Sequence, residues 1–269
     1  MKLSVSNIAW SGESMAEYLE ILQKLGCHGV ELAPSCFWDE PIESSQGERK
    51  QLSRLIKSFN LEVTGFHALL YTRQDLHFFR DRRNLAQLVH YLKQLVVLCA
   101  ELDGRVLVFG SPRNRARNGR DYSECMAWAV EGFHETAEEA KRCSVMVCIE
   151  PLPQKETDFI MTSREGMHLV RTVNHENFGL HLDAKAMAES NEDYSEVFAE
   201  FGKDIQHFHV GDPGLAPPGS TGLNHKSIGA ALKQSGYDGF VSIEMKNSFG
   251  NPRNVIQKSV DYVKKCYFE

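Results

Sequence analysis

The sequence predicts a (β/α)8 barrel, and three observations point to it. Short β-rich runs alternate with longer helical stripes eight times along the chain. The 269 residues suit the length such a barrel needs. No Gly-x-Gly-x-x-Gly follows the first strand to argue for an open, doubly wound sheet. No long linker, low-complexity tract or block of like charge divides the chain, so residues 1–269 read as one barrel domain.

The elements follow in order. LSVSNIA (3–9) alternates as a strand, and Met15, Tyr18, Leu19, Leu22 and Leu25 then share one helical face over 14–25. HGVELA (28–33) is the second strand, with a helix over 47–58. LEVTGFHA (61–68) is the third, before a long apolar-striped helix at 82–102. RVLVFG (105–110) precedes a helix at 121–142, and VMVCIE (145–150) one at 163–173. FGLHLD (178–183) leads to a helix near 191–201, and IQHFHV (205–210) to one near 224–235. GFVSIEM (239–245) and a helix at 252–266 close the series. The connections KLGCHG, KSFNLE and QSGYDG carry the Gly or Asn at which a helix stops.

Composition narrows the functional classes. Hydrophobic residues make up 42% and charged residues 25%, enough for a sizeable core. A net charge of -6 argues against a surface built as a whole for nucleic acid. Seven cysteines without a CxxC pair, several in apolar runs, read as reduced and mostly buried thiols. The N-terminus enters a strand pattern at once and no apolar run is long enough to span a membrane, so a cytoplasmic protein is expected.

In a (β/α)8 barrel the chemistry sits where the strands end at their C-terminal side. From the fifth strand onward those positions hold Glu150 in CIEP, Asp183 in LHLDAK, His209 in HFHVGD and Glu244 in SIEM. Three carboxylates packed at one mouth repel one another, and a divalent cation relieves that repulsion. Three hard oxygens and one imidazole suit Mn²⁺ or Mg²⁺, with Co²⁺, Zn²⁺ or Fe²⁺ also acceptable. The bland alternative is a hydrogen-bonded polar barrel top without metal.

CIEP, HLDAK, HFHVGD and GYDGFVSIEM resemble the motifs of the sugar phosphate isomerase/epimerase superfamily of xylose isomerase-like TIM barrels. That group includes ketose 3-epimerases, hydroxypyruvate isomerases and inosose dehydratases. The spacings 150→183→209→244, which are 33, 26 and 35 residues, are similar to those of the ketose 3-epimerases, and the resemblance runs over nearly the whole chain. It implies that Glu150, Asp183, His209 and Glu244 are metal ligands. It further implies that Glu150 and Glu244 move a proton to and from a carbon beside a ketone through an enediolate. Glu156 falls where these enzymes keep a glutamate touching the substrate or the catalytic base. One departure stands out: the 3-epimerases commonly carry a sugar-contacting histidine three residues after the aspartate, and here that position is Ala186, with Lys185 beside it. The resemblance implies a small carbohydrate substrate and, as a family trait, a homodimer; the dehydratases are the nearest alternative within the group.

Further residues enter as substrate-binding candidates. His67 ends the third strand and points into the mouth, either touching substrate or held structurally. His181 and His207 lie two residues before a ligand and face one layer deeper. His225 could approach the site from the loop after the seventh strand, and the Gly- and Pro-rich run 211–222 reads as a shaped loop over the mouth. Trp10 and Trp38 offer apolar walls for a sugar ring or plain packing. After the fourth strand SPRNRARNGR places Arg113 and Arg115 nearest the mouth, where with Lys185 they could read an anionic sugar; Arg117 and Arg120 face water or the next helix. A DNA-repair nuclease of the endonuclease IV type shares this barrel but needs further zinc ligands. Ala186 and Leu223 stand where two of those are required, which disfavours a nucleic-acid partner. A sugar-binding barrel without catalysis is the non-enzymatic reading.

Overall fold

The computed structural model describes residues 1–10 and 12–269. Eight parallel strands close into a barrel in the order β1 to β8, each hydrogen-bonded to its neighbours in sequence, with β1 pairing β8. The strands are β1 (Lys2–Ser6), β2 (Gly29–Leu32), β3 (Glu62–Phe66), β4 (Val106–Phe109), β5 (Met146–Ile149), β6 (Phe178–Asp183), β7 (Ile205–Val210) and β8 (Phe240–Ile243). Between them run α1 (Met15–Lys24), α2 (Gln46–Ser58), α3 (Arg82–Glu101), α4 (Tyr122–Cys143), α5 (Ser163–Val173), α6 (Ala184–Glu189), α7 (Tyr194–Phe201), α8 (His225–Gln234) and α9 (Pro252–Tyr267). Continuous apolar strands fit a sheet covered by helices on its outer face, because both sides of each strand are then buried.

The helices begin where short polar side chains can satisfy free backbone amides. Ser45 and Glu48 form a reciprocal capping box at α2, and Asp81, Asp121 and Thr162 cap α3, α4 and α5. Between sheet and helices, the rings of Phe78, Phe109, Phe133 and Phe178 pack edge-to-face, tilted or, for Phe133 on Phe178, stacked, at centroid distances of 4.7 to 5.3 Å. No helix among the described residues is long and apolar enough to cross a membrane. None of the seven cysteines forms a disulfide, and burial pushes the Cys27 thiol up to about 12.

Three local differences from the sequence expectation have physical causes. The first strand stops at Ser6, and Asn7–Trp10 form a 3-10 turn whose Asn7 Oδ1 accepts the Ala33 amide at 2.7 Å. The short helix α6 follows β6 directly, because Asp183 Oδ1 accepts from the Lys185 amide at 2.8 Å and caps it. Six residues are too few to display a stripe, and the helix expected near 191–201 starts only at Tyr194. Lastly, β5 and β8 stop one residue before Glu150 and Glu244, although both amides still bond the neighbouring strand, to Phe109 and Val210 at 3.1 and 3.0 Å.

Gly65 marks the closest approach in the sheet. A Cβ there would lie 2.2 Å from the Val106 carbonyl oxygen, a backbone atom that cannot step aside. Gly65→Ala is therefore expected to destabilise the barrel by about 1–3 kcal/mol, read as a fall in Tm; an unchanged Tm would refute the close β3–β4 approach.

Candidate active site

The strand register assembles the site. Asp183 pairs with His209 across β6 and β7, and His209 with Ser242 across β7 and β8, so side chains at these ends converge on one mouth. Glu150, Asp183, His209 and Glu244 each offer one ligand atom there, all within 4.8 Å of one another. Asp183 and His209 are buried and Glu150 is 8% exposed, so these charges have little water to screen them.

That crowding governs protonation. Burial, with Glu244 and Asp183 adding repulsion, pushes Glu150 up to about 8. Burial also raises Asp183 to about 6 against the pull of Lys185. Burial disfavours the charge on Glu244 too, but His209 and His67 hold its carboxyl well below the usual range. Burial likewise opposes a charged His209, yet the Glu31 and Glu244 carboxylates hold that imidazole well above its usual value. His209 Nδ1 is buried without a hydrogen-bond partner and lies 3.4 Å from Glu244 Oε2, facing the cluster. Three carboxylates and this unpaired nitrogen make a donor set that fits a hard divalent cation. Beneath it, His181 has no partner for either nitrogen and stands 3.8 Å from Glu150 Oε1; burial, then His209 and His207, push it well below the usual histidine range.

The cluster opens into a cavity of about 520 Å³. Glu150, Glu244, His67, Glu156, Lys185 and Arg113 all line it. His67 Nδ1 lies 3.0 Å from Glu244 Oε1 and its Nε2 2.5 Å from Ser6 Oγ. A carboxylate only accepts, so Nδ1 carries a proton toward Glu244, while Nε2 faces the Ser6 hydroxyl. Lys185 Nζ donates to Glu156 Oε1 at 3.0 Å. Burial works against the lysine charge, but Asp183 and Glu156 hold its ammonium above the ordinary lysine range. Arg113 reaches the cavity wall, with one Nη1 contact to Gln74 Oε1 at 3.3 Å.

Trp10, Arg115 and His225 are not brought to the cavity wall. Trp10 is buried with its ring stacked on Tyr18 at 5.2 Å. Arg115 is turned inward at 1% exposure; only its Nη2 has an acceptor, Ile160 O at 3.5 Å, and burial pulls it down to about 10 against Glu150, Glu156 and Glu165. His225 is fully buried between Asp212 Oδ1 at 2.7 Å and the Tyr267 hydroxyl at 2.8 Å. Asp212 also accepts the Gly219 and Thr221 amides, so this pair shapes the loop 211–222, whose Leu215 lines the cavity. Arg117 grips Asp158 and Arg120 the Phe79 and Arg80 carbonyls.

Sequence reasoning missed Glu31, Gly110 and Tyr71. Glu31 lies in β2 at 0% exposure beneath the cluster, and a lone carboxylate inside GVEL was its visible signal. A Cβ at Gly110 would fall 2.2 Å from Glu150 Oε2, so this glycine makes room for the carboxylate. Tyr71 lines the cavity while 76% exposed, and nothing in the local pattern marks it.

Comparison with known proteins gives a consistent picture. The family model described as xylose isomerase-like TIM barrel matches residues 19–266. A D-psicose 3-epimerase of Ruminiclostridium cellulolyticum is 32% identical over 116 residues, which is 43% of this chain and 40% of that protein. A D-psicose 3-epimerase of Enterocloster bolteae is 22% identical over 249 residues, covering 91% of this chain and 82% of its own length. The first of these alignments thus spans well under half of the relative. Among solved structures, D-psicose 3-epimerase with D-tagatose from Clostridium cellulolyticum H10 superposes with a TM-score of 0.85 at 20% identity over 99% of both chains, a likeness of fold.

Two predictions follow from the geometry. A cation must displace protons held by Glu150 and Asp183, so Mn²⁺ affinity is expected to rise about tenfold or more from pH 6 to pH 8. Glu150 binds its proton more tightly folded than unfolded, so the metal-free fold loses stability as pH rises from 4.5 to about 8. The Mn²⁺-induced gain in Tm should accordingly be larger at pH 8 than at pH 6, and the reverse order would contradict the cluster. Separately, Gly110→Ala should displace the Glu150 carboxylate and weaken Mn²⁺ binding in calorimetry while the circular dichroism spectrum stays unchanged.

Proposed function

The chain belongs to the xylose isomerase-like TIM barrel family, and on that premise we propose that it is a divalent-metal-dependent epimerase of ketoses. The observation that carries this reading is the placement of Glu150 and Glu244 in one 4.8 Å cluster while both also line the cavity. The same two carboxylates can then reach a substrate held over the cluster. The curated relatives, named as 3-epimerases of ketoses, support the choice of reaction.

Glu150, Asp183, His209 and Glu244 would hold the ion, for which Mn²⁺ or Mg²⁺ fits the oxygen-rich set. Its contribution is to polarise adjacent substrate oxygens and so acidify the intervening C–H. Glu244, kept ionised and aimed by His67, removes the proton from a carbon beside the ketone. Glu150, reprotonated from water through the open cavity to which Glu244 releases its own proton, returns a proton from the other side of the planar enediolate, and the roles exchange in the reverse direction. Lys185 and Glu156, an ammonium donor and a carboxylate acceptor 3.0 Å apart on the wall, orient neighbouring hydroxyls and stand in for the histidine absent at Ala186. The substrate we favour carries no phosphate: Lys185 is neutralised by Glu156 and Asp183, which leaves Arg113 as the arginine on the wall. Seven cysteines, none in a disulfide, support a cytoplasmic setting.

Turnover in D₂O over a panel of free ketoses, ketose phosphates and inososes tests this reading. Deuterium should enter the carbon beside the ketone of a free ketose, with no loss of water; release of water would assign a dehydratase instead. Glu244→Gln should keep the fold by circular dichroism and lose on the order of 10³-fold in kcat. EDTA should abolish activity and Mn²⁺ restore it, whereas an EDTA-insensitive enzyme would remove the metal from the mechanism.

A further inference from the structure

Beneath the cluster lies a polar layer that the reaction as described does not use. Glu31 sits inside β2 at 0% exposure. Both of its oxygens are 3.0 Å from His209 Nε2. Its Oε1 is also 3.0 Å from His207 Nε2, and its Oε2 accepts the Ser242 hydroxyl at 2.5 Å. One buried carboxylate therefore ties β2 to β7 and β8 through the barrel interior.

We propose that Glu31 is a positioning residue that presents His209 to the metal through Nδ1. An ionised carboxylate accepts and cannot donate, so the His209 nitrogen facing it must carry the proton. That keeps N–H on Nε2 and makes Nδ1 the atom that gives up its proton to a metal; it has no hydrogen-bond partner and faces Glu244 Oε2 at 3.4 Å. His207 and Ser242 hold the carboxylate itself, so Glu31 can neither turn away nor let the imidazole flip. Without this anchor the ring could rotate and offer either nitrogen, and the four donors would no longer converge. Carboxylate partners of ligating histidines commonly set ring orientation and basicity in this way, and removing them costs about 10- to 100-fold in metal affinity.

The inference rests on the metal cluster and not on the epimerase reading, so its readout is binding. In Glu31→Gln, Mn²⁺ binding by calorimetry should weaken by about 10- to 100-fold. Ser242→Ala leaves both His209 contacts to Glu31 in place and should change that affinity far less. Wild-type affinity in a folded Glu31→Gln variant would overturn the proposal, as would equal losses in the two variants. Should Glu31→Gln fail to fold, ¹⁵N NMR of histidine-labelled wild-type protein loaded with Zn²⁺ decides the matter. A protonated Nε2 and a metal-bound Nδ1 on His209 are expected, and the opposite assignment overturns the proposal. A wild-type protein that binds Mn²⁺ but turns over no ketose would sink the proposed function and leave this inference standing. One that binds no divalent metal would sink both.

Discussion

The structure is organised around an electrostatic imbalance at one end of the barrel. Glu31, Glu150, Asp183 and Glu244 are all held in or just below the same mouth, mostly out of reach of water. Buried anions of this kind are tolerated only when cations or donors meet them. His209 stands between Glu31 and Glu244, His67 supports Glu244, and Lys185 lies between Asp183 and Glu156. Glu150 receives the weakest compensation and is the carboxyl pushed furthest toward its neutral form. A divalent ion among the four donors would remove the remaining imbalance, so the same arrangement that strains the metal-free fold favours metal uptake.

Holding such a cluster requires a mouth that does not relax, and the loops above the barrel are tied accordingly. Buried Asp212 gathers buried His225 and the amides of Gly219 and Thr221 at the surface into one knot. Glu189 at the end of α6 meets Lys155 at 2.8 Å and accepts the Gly214 amide, joining the loops after β5 and β7. Glu192 takes both the amide and hydroxyl of Ser163 at the start of α5. These contacts are partly shielded from solvent and engage backbone amides, which makes them better at fixing loop shape than the exposed ion pairs around the helices.

Much of this was legible because strand ends in a barrel carry a simple code. Apolar runs that finish in an ionisable residue stand out, and Glu150, Asp183, His209 and Glu244 were visible for that reason. The alternation of runs and stripes made the barrel readable, since each element was long enough to show its period. What stayed hidden depends on direction and on partners across the chain. Glu31 lies 178 residues from His209, and no local pattern shows which acid in a strand meets which imidazole across the interior. The six residues of α6 were too short for periodicity, although Asp183 was there to cap them. His225 looked like a loop residue near the mouth, but its partner Tyr267 comes from the last helix, and burial between α8 and α9 turns it from the cavity.

The arginine-rich loop shows most sharply how little residue type alone decides. Four guanidinium groups in SPRNRARNGR suggested a lip for an anion, yet each has a different fate. Arg117 and Arg120 spend their donors on Asp158 and on backbone carbonyls, which stitches the loop to its neighbours. Arg115 is buried within electrostatic reach of Glu150, Glu156 and Glu165, so its charge offsets carboxylates and does not face the cavity. Arg113 alone of the four lines the cavity. An anionic substrate entering this mouth would meet Glu150, Glu156 and Glu244 together with one arginine and a lysine already paired. A neutral polyol instead finds alternating donors and acceptors, and its own hydroxyls can satisfy both. Electrostatic cost therefore separates the two substrate classes more firmly than the count of arginines in the loop.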